Sequence, residues 1–394
     1  MRITDVVLIE VTGLFPFGDG WGEERRVDPL DVYAEFAVHA AGRPDRDPDD
    51  LVRHSDVFLE VRTDEGVTGL FGPVDGPHAS ILVREMRGFL IGRDPLAHET
   101  IWDQLLRRNR HARSGYYMMA MSALDCALWD LKGKALGQPV FRLLGGPTRE
   151  AVPAYASMLG FPLEPEQLRE RAQEFRRKGY RAQKWFFRHG PAQGGEGAGR
   201  NIAMVRTLRE AVGDEIALMF DAFNSWDLPY ALDMSRRIAP FRPAWLEEPL
   251  PVDRLEAFRT LRAQAGIPIA TGEHLYTRWQ VHDLLRAEAC DVVQADPDWC
   301  GGITELVKIA TVCSTYDTPL CPHGHSLHAA LHVAAALPPD VLSQVEFLVI
   351  FQRHKQRFMR GYLEPVDGSI RPPETPGLGI ELDERRIEER RELR

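Results

Sequence analysis

With 394 residues, 44% of them hydrophobic and 27% charged, the chain has an ordinary globular composition and is long enough for a large barrel with an accessory domain. A formal net charge of −10 argues against a nucleic-acid partner, since phosphate binding needs clustered Lys and Arg, and no apolar run approaches the roughly 20 residues that span a bilayer. Five scattered cysteines (Cys126, Cys290, Cys300, Cys313 and Cys321) include no C-x-x-C pair, which sets aside a disulfide framework and a zinc knuckle.

Residues 2–13, RITDVVLIEVTG, alternate as a strand does and lack the form of a signal peptide, so a cytoplasmic protein with small-molecule partners is expected. Residues 55–74 read as a hairpin turning at Asp64, Glu65 and Gly66. A helix follows over 116–137, with Met121, Leu124, Leu128, Leu131 and Ala135 at three- and four-residue spacing and Gly137 as its stop. The segment LLGGPTRE, 143–150, is a natural boundary.

From Ala151 the texture changes to short apolar segments alternating with charged helical ones. Strands are expected in VPAYAS, RAQKWFF, IALMFDA, PAWLEE, IPIATGE, DVVQAD, TPLCPH and SQVEFLV. Eight βα units over about 200 residues are the pattern of a (β/α)8-type barrel, and no glycine fingerprint supports a doubly wound sheet. The expected architecture is therefore α/β: a capping α+β domain over 1–143, the barrel over 144–355, and a segment 356–394 returning to the cap, with GLGIELDE at 377–384 as its strand.

Polar residues stand where these strands finish. Asp221, Glu247 and Glu273 end the third, fourth and fifth, 26 residues apart each time (247 − 221; 273 − 247). One βα repeat returns the chain to the same rim, so three carboxylates converge where barrels carry chemistry. Their repulsion is relieved by a hard divalent cation with oxygen preference, Mg²⁺; the competing reading is helix N-caps or solvated strand ends. Glu248 must point elsewhere by alternation, toward a positive group. Asp296 ends strand six and His323 strand seven, a pairing that makes the imidazole a general base. Lys184 on strand two and Glu346 on strand eight add two more ionisable groups.

In this order, with ALDCALWDLKGKALGQPVFRLLGG, WLEEPL, TGEH and DVVQADPDWCGGITELVKIA in register, the chain resembles the enolase superfamily, mandelate racemase subgroup, over nearly its whole length. The resemblance implies Asp221, Glu247 and Glu273 as Mg²⁺ ligands and His323 with Asp296 as the base dyad. It also implies Lys184 and Glu346 at the substrate's carboxylate and developing enolate. Two positions depart from the subgroup: the second lysine of Lys-x-Lys is Phe186, and the asparagine two after the first ligand is Phe223. KWFFRHGPAQGGEG and PHGHSLHAALH are most similar to the L-rhamnonate dehydratase group. A homo-oligomeric (dimeric or octameric) carbon–oxygen lyase acting on an acid sugar is thus expected, with His323 returning its proton to the departing 3-hydroxyl. Sugar-reading residues are expected in FPFGDGWGEERR (15–26) and HAAGRPDRDPDD (39–50). The alternatives are a racemase or epimerase, a zinc hydrolase using His323, His325, His328 and His332, and an idle binding protein on the same scaffold.

Overall fold

The computed structural model describes residues 1–18, 22, 24–37, 47, 49–111 and 113–393. Strand β1 (Ile3–Pro16) pairs antiparallel with β2 (Leu51–Thr63), which turns back as β3 (Thr68–Phe71). This sheet lies on the helix Gly115–Leu136, which stops at Gly137 in the left-handed conformation. Contact is close: a Cβ on Gly69 would sit 2.1 Å from the Ala127 carbonyl oxygen, so only glycine lets β3 approach the helix.

The helix is buried almost all round because it has two partners. Toward the sheet, Asp130 accepts hydrogen bonds from the Leu70 and Leu378 amides, both at 2.8 Å, and pairs with Lys134 at 2.6 Å. On its other side the Ser122 hydroxyl accepts from the Gly301 amide (2.8 Å), the Asp125 carboxylate accepts from the Thr304 amide (2.9 Å), and the Trp129 indole donates to the Thr304 hydroxyl (2.8 Å). One helix therefore binds the cap sheet, the C-terminal segment and a loop of the second domain.

That domain is a ring of parallel strands: β4 (Val152–Ser157), β5 (Ala182–Phe186), β6 (Ala217–Asp221), β7 (Trp245–Glu247), β8 (Ile269–Thr271) and β9 (Val292–Val293). The expected seventh strand shrinks to one bridge, Leu320 with Val293. Strand β10 (Val345–Leu348) pairs with β4, and β11 (Ser369–Ile370) lies antiparallel beside β4. Tyr155, Ala182, Met219, Trp245, Ala270, Val292 and Cys321 fill one layer of the interior. Two residues further along five of these strands stand Lys184, Asp221, Glu247, Gln294 and His323. With a side-chain period of two, an apolar layer is followed by a polar one.

The C-terminal strand lies elsewhere than expected. Residues 377–384 form no strand; Gly377 exchanges backbone bonds with Gln138 and Val140 instead. The tail joins the cap sheet through β12 (Glu389–Leu393), antiparallel to β1. Its sequence, ERREL, shows no apolar alternation because ion pairs across the sheet hold it: Arg390 with Glu60 (2.6 Å), Arg391 with Glu10 (2.8 Å) and Glu392 with Arg62 (2.7 Å). All five cysteines are free and buried, and no helix among the described residues is long and apolar enough to cross a membrane.

Asp130→Ala strands two buried amides and should lower stability by about 2–5 kcal/mol. Chemical denaturation would read this, with Lys134→Ala, which removes only the part-exposed ammonium, as the milder control.

Candidate active site

At the ends of β6 and β7 the chain turns through the left-handed region at Phe223 (φ 50°), Asn224 (φ 54°) and Glu248 (φ 36°). Left-handed backbone at non-glycine residues is costly and collects at functional sites. The neighbouring carboxylates Glu247 and Glu248 face different partners, as alternation requires. Glu247, fully buried, accepts from the Trp245 indole (2.9 Å) and the Gln294 amide (2.6 Å) and is bonded to the Lys184 ammonium. Glu248 meets His274 Nδ1 (2.9 Å), Asn224 Nδ2 (2.6 Å) and the Thr271 hydroxyl (3.2 Å).

Lys184 is closed in by acids, with Glu346 at 2.8 Å and Asp221 at 4.0 Å besides Glu247. Its buried ammonium is the counter-charge to these carboxylates. Burial pushes Glu273 up to about 8, against the pull of His323, and Glu247 up to about 7, against that of Lys184. Asp221 rises for the same reason. Glu346 goes the other way, because Lys184 and His323 together outweigh its burial.

His323 Nδ1 is 2.8 Å from Asp296, and its Nε2 is 3.8 Å from Glu273. Burial alone would depress this histidine, but the Glu273 charge and the Asp296 bond raise it to about 10. The predicted pair is thus assembled, with Nε2 turned to the carboxylates. A glycine sets the spacing beside it: the Gly324 amide donates to Glu346 at 2.9 Å, and a Cβ there would fall 2.9 Å from that side chain. Above lies a cleft of about 570 Å³, walled by Glu273, His323, His325, Trp299, Phe351 and Arg26.

Buried carboxylates of raised proton affinity on adjacent strands offer, once deprotonated, hard oxygen donors that suit a divalent cation. Glu248, Glu273 and His274 each bring one ligand atom within 4.8 Å of the others. Asp221 and Glu247 stand at neighbouring strand ends but turn toward Lys184. The zinc cluster is not assembled: His328 and His332 are buried in the helix Leu327–Ala336, held down to about 3 and about 4 chiefly by burial, and His332 stacks on Phe141.

Three features escaped the sequence reading. Arg26 lies 3.6 Å over the Phe223 ring, so the residue replacing asparagine seats a cation at the cleft wall. Asn224 and His274 hold Glu248. His325 repeats the contact of His323 one step along the loop, and its signal was the recurrence of Asp and His two residues on. Gly22, Glu24 and Arg25 of the first loop also line the cleft, with Asp28 just beyond it; positions 19–21, 23, 39–46 and 48 of the two proposed sugar-reading segments lie outside the described residues.

Residues 167–386 match the family described as enolase C-terminal domain-like, and residues 49–145 match the mandelate racemase / muconate lactonizing enzyme N-terminal domain. The chain belongs to the enolase superfamily. Within that superfamily it is 32% identical to an L-rhamnonate dehydratase of Saccharopolyspora erythraea, over 93% of this chain and 91% of the relative. It is 34% identical to a D-galactarolactone cycloisomerase of Agrobacterium fabrum, over 84% and 90%. A solved racemase from Streptomyces coelicolor A3(2), described with bound magnesium, superposes with a TM-score of 0.74 at 30% identity, covering 84% of this chain and 94% of that one.

Glu247, Glu273 and His323 all have folded-state values raised above their ordinary ones. The folded metal-free protein therefore binds more protons than the unfolded chain, and stability must fall as pH rises through that window. In EDTA the Tm should drop between pH 7 and 9, and Glu273→Gln should flatten the slope. An unchanged slope in the variant would remove Glu273 from the titrating set.

Proposed function

We propose that the chain is a Mg²⁺-dependent dehydratase of an acid sugar, L-rhamnonate or a related aldonate, giving a 2-keto-3-deoxy acid. The observation that carries this reading is the His323–Asp296 dyad aimed at Glu273 on the wall of a cleft large enough for a small ligand. Relatives named as dehydratases support it. Asp221, Glu247 and Glu273 would hold the metal, which when bound neutralises these carboxylates and stabilises the negative charge that develops as the α-proton leaves.

The protein's own groups do the rest. His323 Nε2 takes the α-proton while Asp296 fixes the ring through Nδ1 and stabilises the imidazolium formed. Lys184 supplies positive charge beneath the developing enediolate, and Glu346 fixes Lys184 and the Gly324 amide in place. Trp299, its ring 4.8 Å from that of His323 and tilted 30° to it, walls the base from bulk water. A second reading, opening of a lactone or anhydro ring after the same proton loss, is favoured by the cycloisomerase relative.

Racemisation needs a second base on the opposite face of the α-carbon. Phe186 fills that position on β5 and cannot titrate, and His189 faces a separate cavity beside Arg188 and Arg200. Incubation with substrate should therefore yield the 2-keto-3-deoxy acid without any C2 epimer by NMR; the epimer would demand a base not identified among these residues.

Glu247→Gln should weaken Mg²⁺ binding by roughly tenfold or more, measured by calorimetric titration, and unchanged affinity would remove it from the ligand set. His323→Asn should lower both α-proton exchange with deuterated solvent and dehydration by about 10²–10⁴, with Asp296→Asn milder. Screening aldonates for 2-keto product tests the substrate class directly.

A further inference from the structure

Two histidine–aspartate pairs, not one, stand on this cleft. His323 Nδ1 meets Asp296 at 2.8 Å and His325 Nδ1 meets Asp298 at 2.5 Å, both across 27 residues of chain. The pairs repeat in register because D-P-D lies on one loop and H-G-H on the next. Their rings are nearly parallel, 16° apart with centroids 6.4 Å from each other. Trp299 touches both, at 4.8 Å and 5.1 Å, and Phe351 packs on His325 at 5.2 Å.

We infer that His325, held by Asp298, is the general acid that protonates the departing 3-hydroxyl, leaving His323 as base alone. The inference rests on the dehydratase reading above. Asp298 engages Nδ1, so Nε2 is the nitrogen left for a ligand. Its nearest acid is Asp75, at 3.7 Å, beyond hydrogen-bond reach. The other charged groups around the pair are Lys355, 3.6 Å from Asp298, and His78, which faces Asp75 and Asp298 from the cap. Burial would raise Asp298, but Lys355 and His325 hold it down to about 2, so it stands as a carboxylate behind the ring.

The separation suits the reaction. Base and acid must each approach within about 3 Å of groups on adjacent carbons, and two histidines that line one cleft with ring centroids 6.4 Å apart are near enough to serve neighbouring carbons of one ligand. The C2–H bond breaks first, its proton going to His323 Nε2 and its electron pair into the enediolate. That pair then forms the C2–C3 double bond as the C3–O bond breaks, and the proton on His325 Nε2 goes to the leaving oxygen, which departs as water. Tautomerisation of the enol places one proton on C3, and solvent restores His325 and discharges His323.

The test uses full-length wild type, His325→Asn, Asp298→Asn and His323→Asn with Mg²⁺ in deuterated solvent. The probes are a panel of aldonates including L-rhamnonate and D-galactonate, and the 3-deoxy-3-fluoro analogue of whichever acid wild type dehydrates. Fluoride needs less acid help to leave than hydroxide. His325→Asn should keep α-proton exchange within a fewfold of wild type, lose dehydration about 100-fold or more, and still release fluoride from the analogue. Asp298→Asn should follow the same pattern more weakly and serves in its place if the first variant does not fold. Dehydration by His325→Asn within tenfold of wild type overturns the acid role, as does a parallel loss of exchange and fluoride release. Absence of exchange by wild type on every probe overturns the dehydratase reading, and this inference with it.

Discussion

Carboxylates crowded about one buried ammonium are the constraint on which the rest of the site depends. Parallel strands of a barrel carry equivalent positions to the same height, so acids at the ends of β6 and β7 must face the interior together with Lys184 and Glu346. Buried charge of one sign is expensive, and the molecule answers in two ways: Lys184 pairs with Glu247 and Glu346, and burial pushes Glu273 up to about 8. The same shortage of positive charge suits the position to a divalent cation.

Geometry at the histidines comes from a different part of the fold. Asp296 accepts from the Asp298 amide (2.6 Å) and the His325 amide (3.0 Å) as well as from His323, so one carboxylate ties two loops together. A few residues on, Gly301 and Thr304 are fastened to Ser122, Asp125 and Trp129 of the cap helix. A Cβ on Gly302 would fall 2.3 Å from Asp125, which leaves that junction no slack. The helix that supports the cap sheet thus also fixes the loop carrying Asp296, Asp298 and Trp299, and the rings they orient inherit its rigidity.

Strand order, the barrel and the rim residues were legible because they obey short-range rules. A period of two puts Lys184, Asp221, Glu247 and His323 on the inner face, and equal 26-residue spacing returns the acids to one rim. What was misread obeys no such rule. β12 is charged at four of its five positions and is held by ion pairs with residues more than three hundred positions away, so no local pattern announces it. The seventh barrel strand is reduced to one bridge, with Pro319 and Pro322 unable to donate to a ladder.

The sequence by itself determined the architecture, the rim on which chemistry gathers, and the pairing of His323 with Asp296, since each follows from periodicity and repeat length. Only the tertiary structure decided which partner each acid takes. Glu248 meets His274, and its neighbour Glu247 meets Lys184. It also set Arg26 on Phe223 and His325 against Asp298. Those contacts join loops far apart in the chain, and their geometry depends on where the cap helix and the barrel meet, a quantity fixed by packing and absent from any local run of residues.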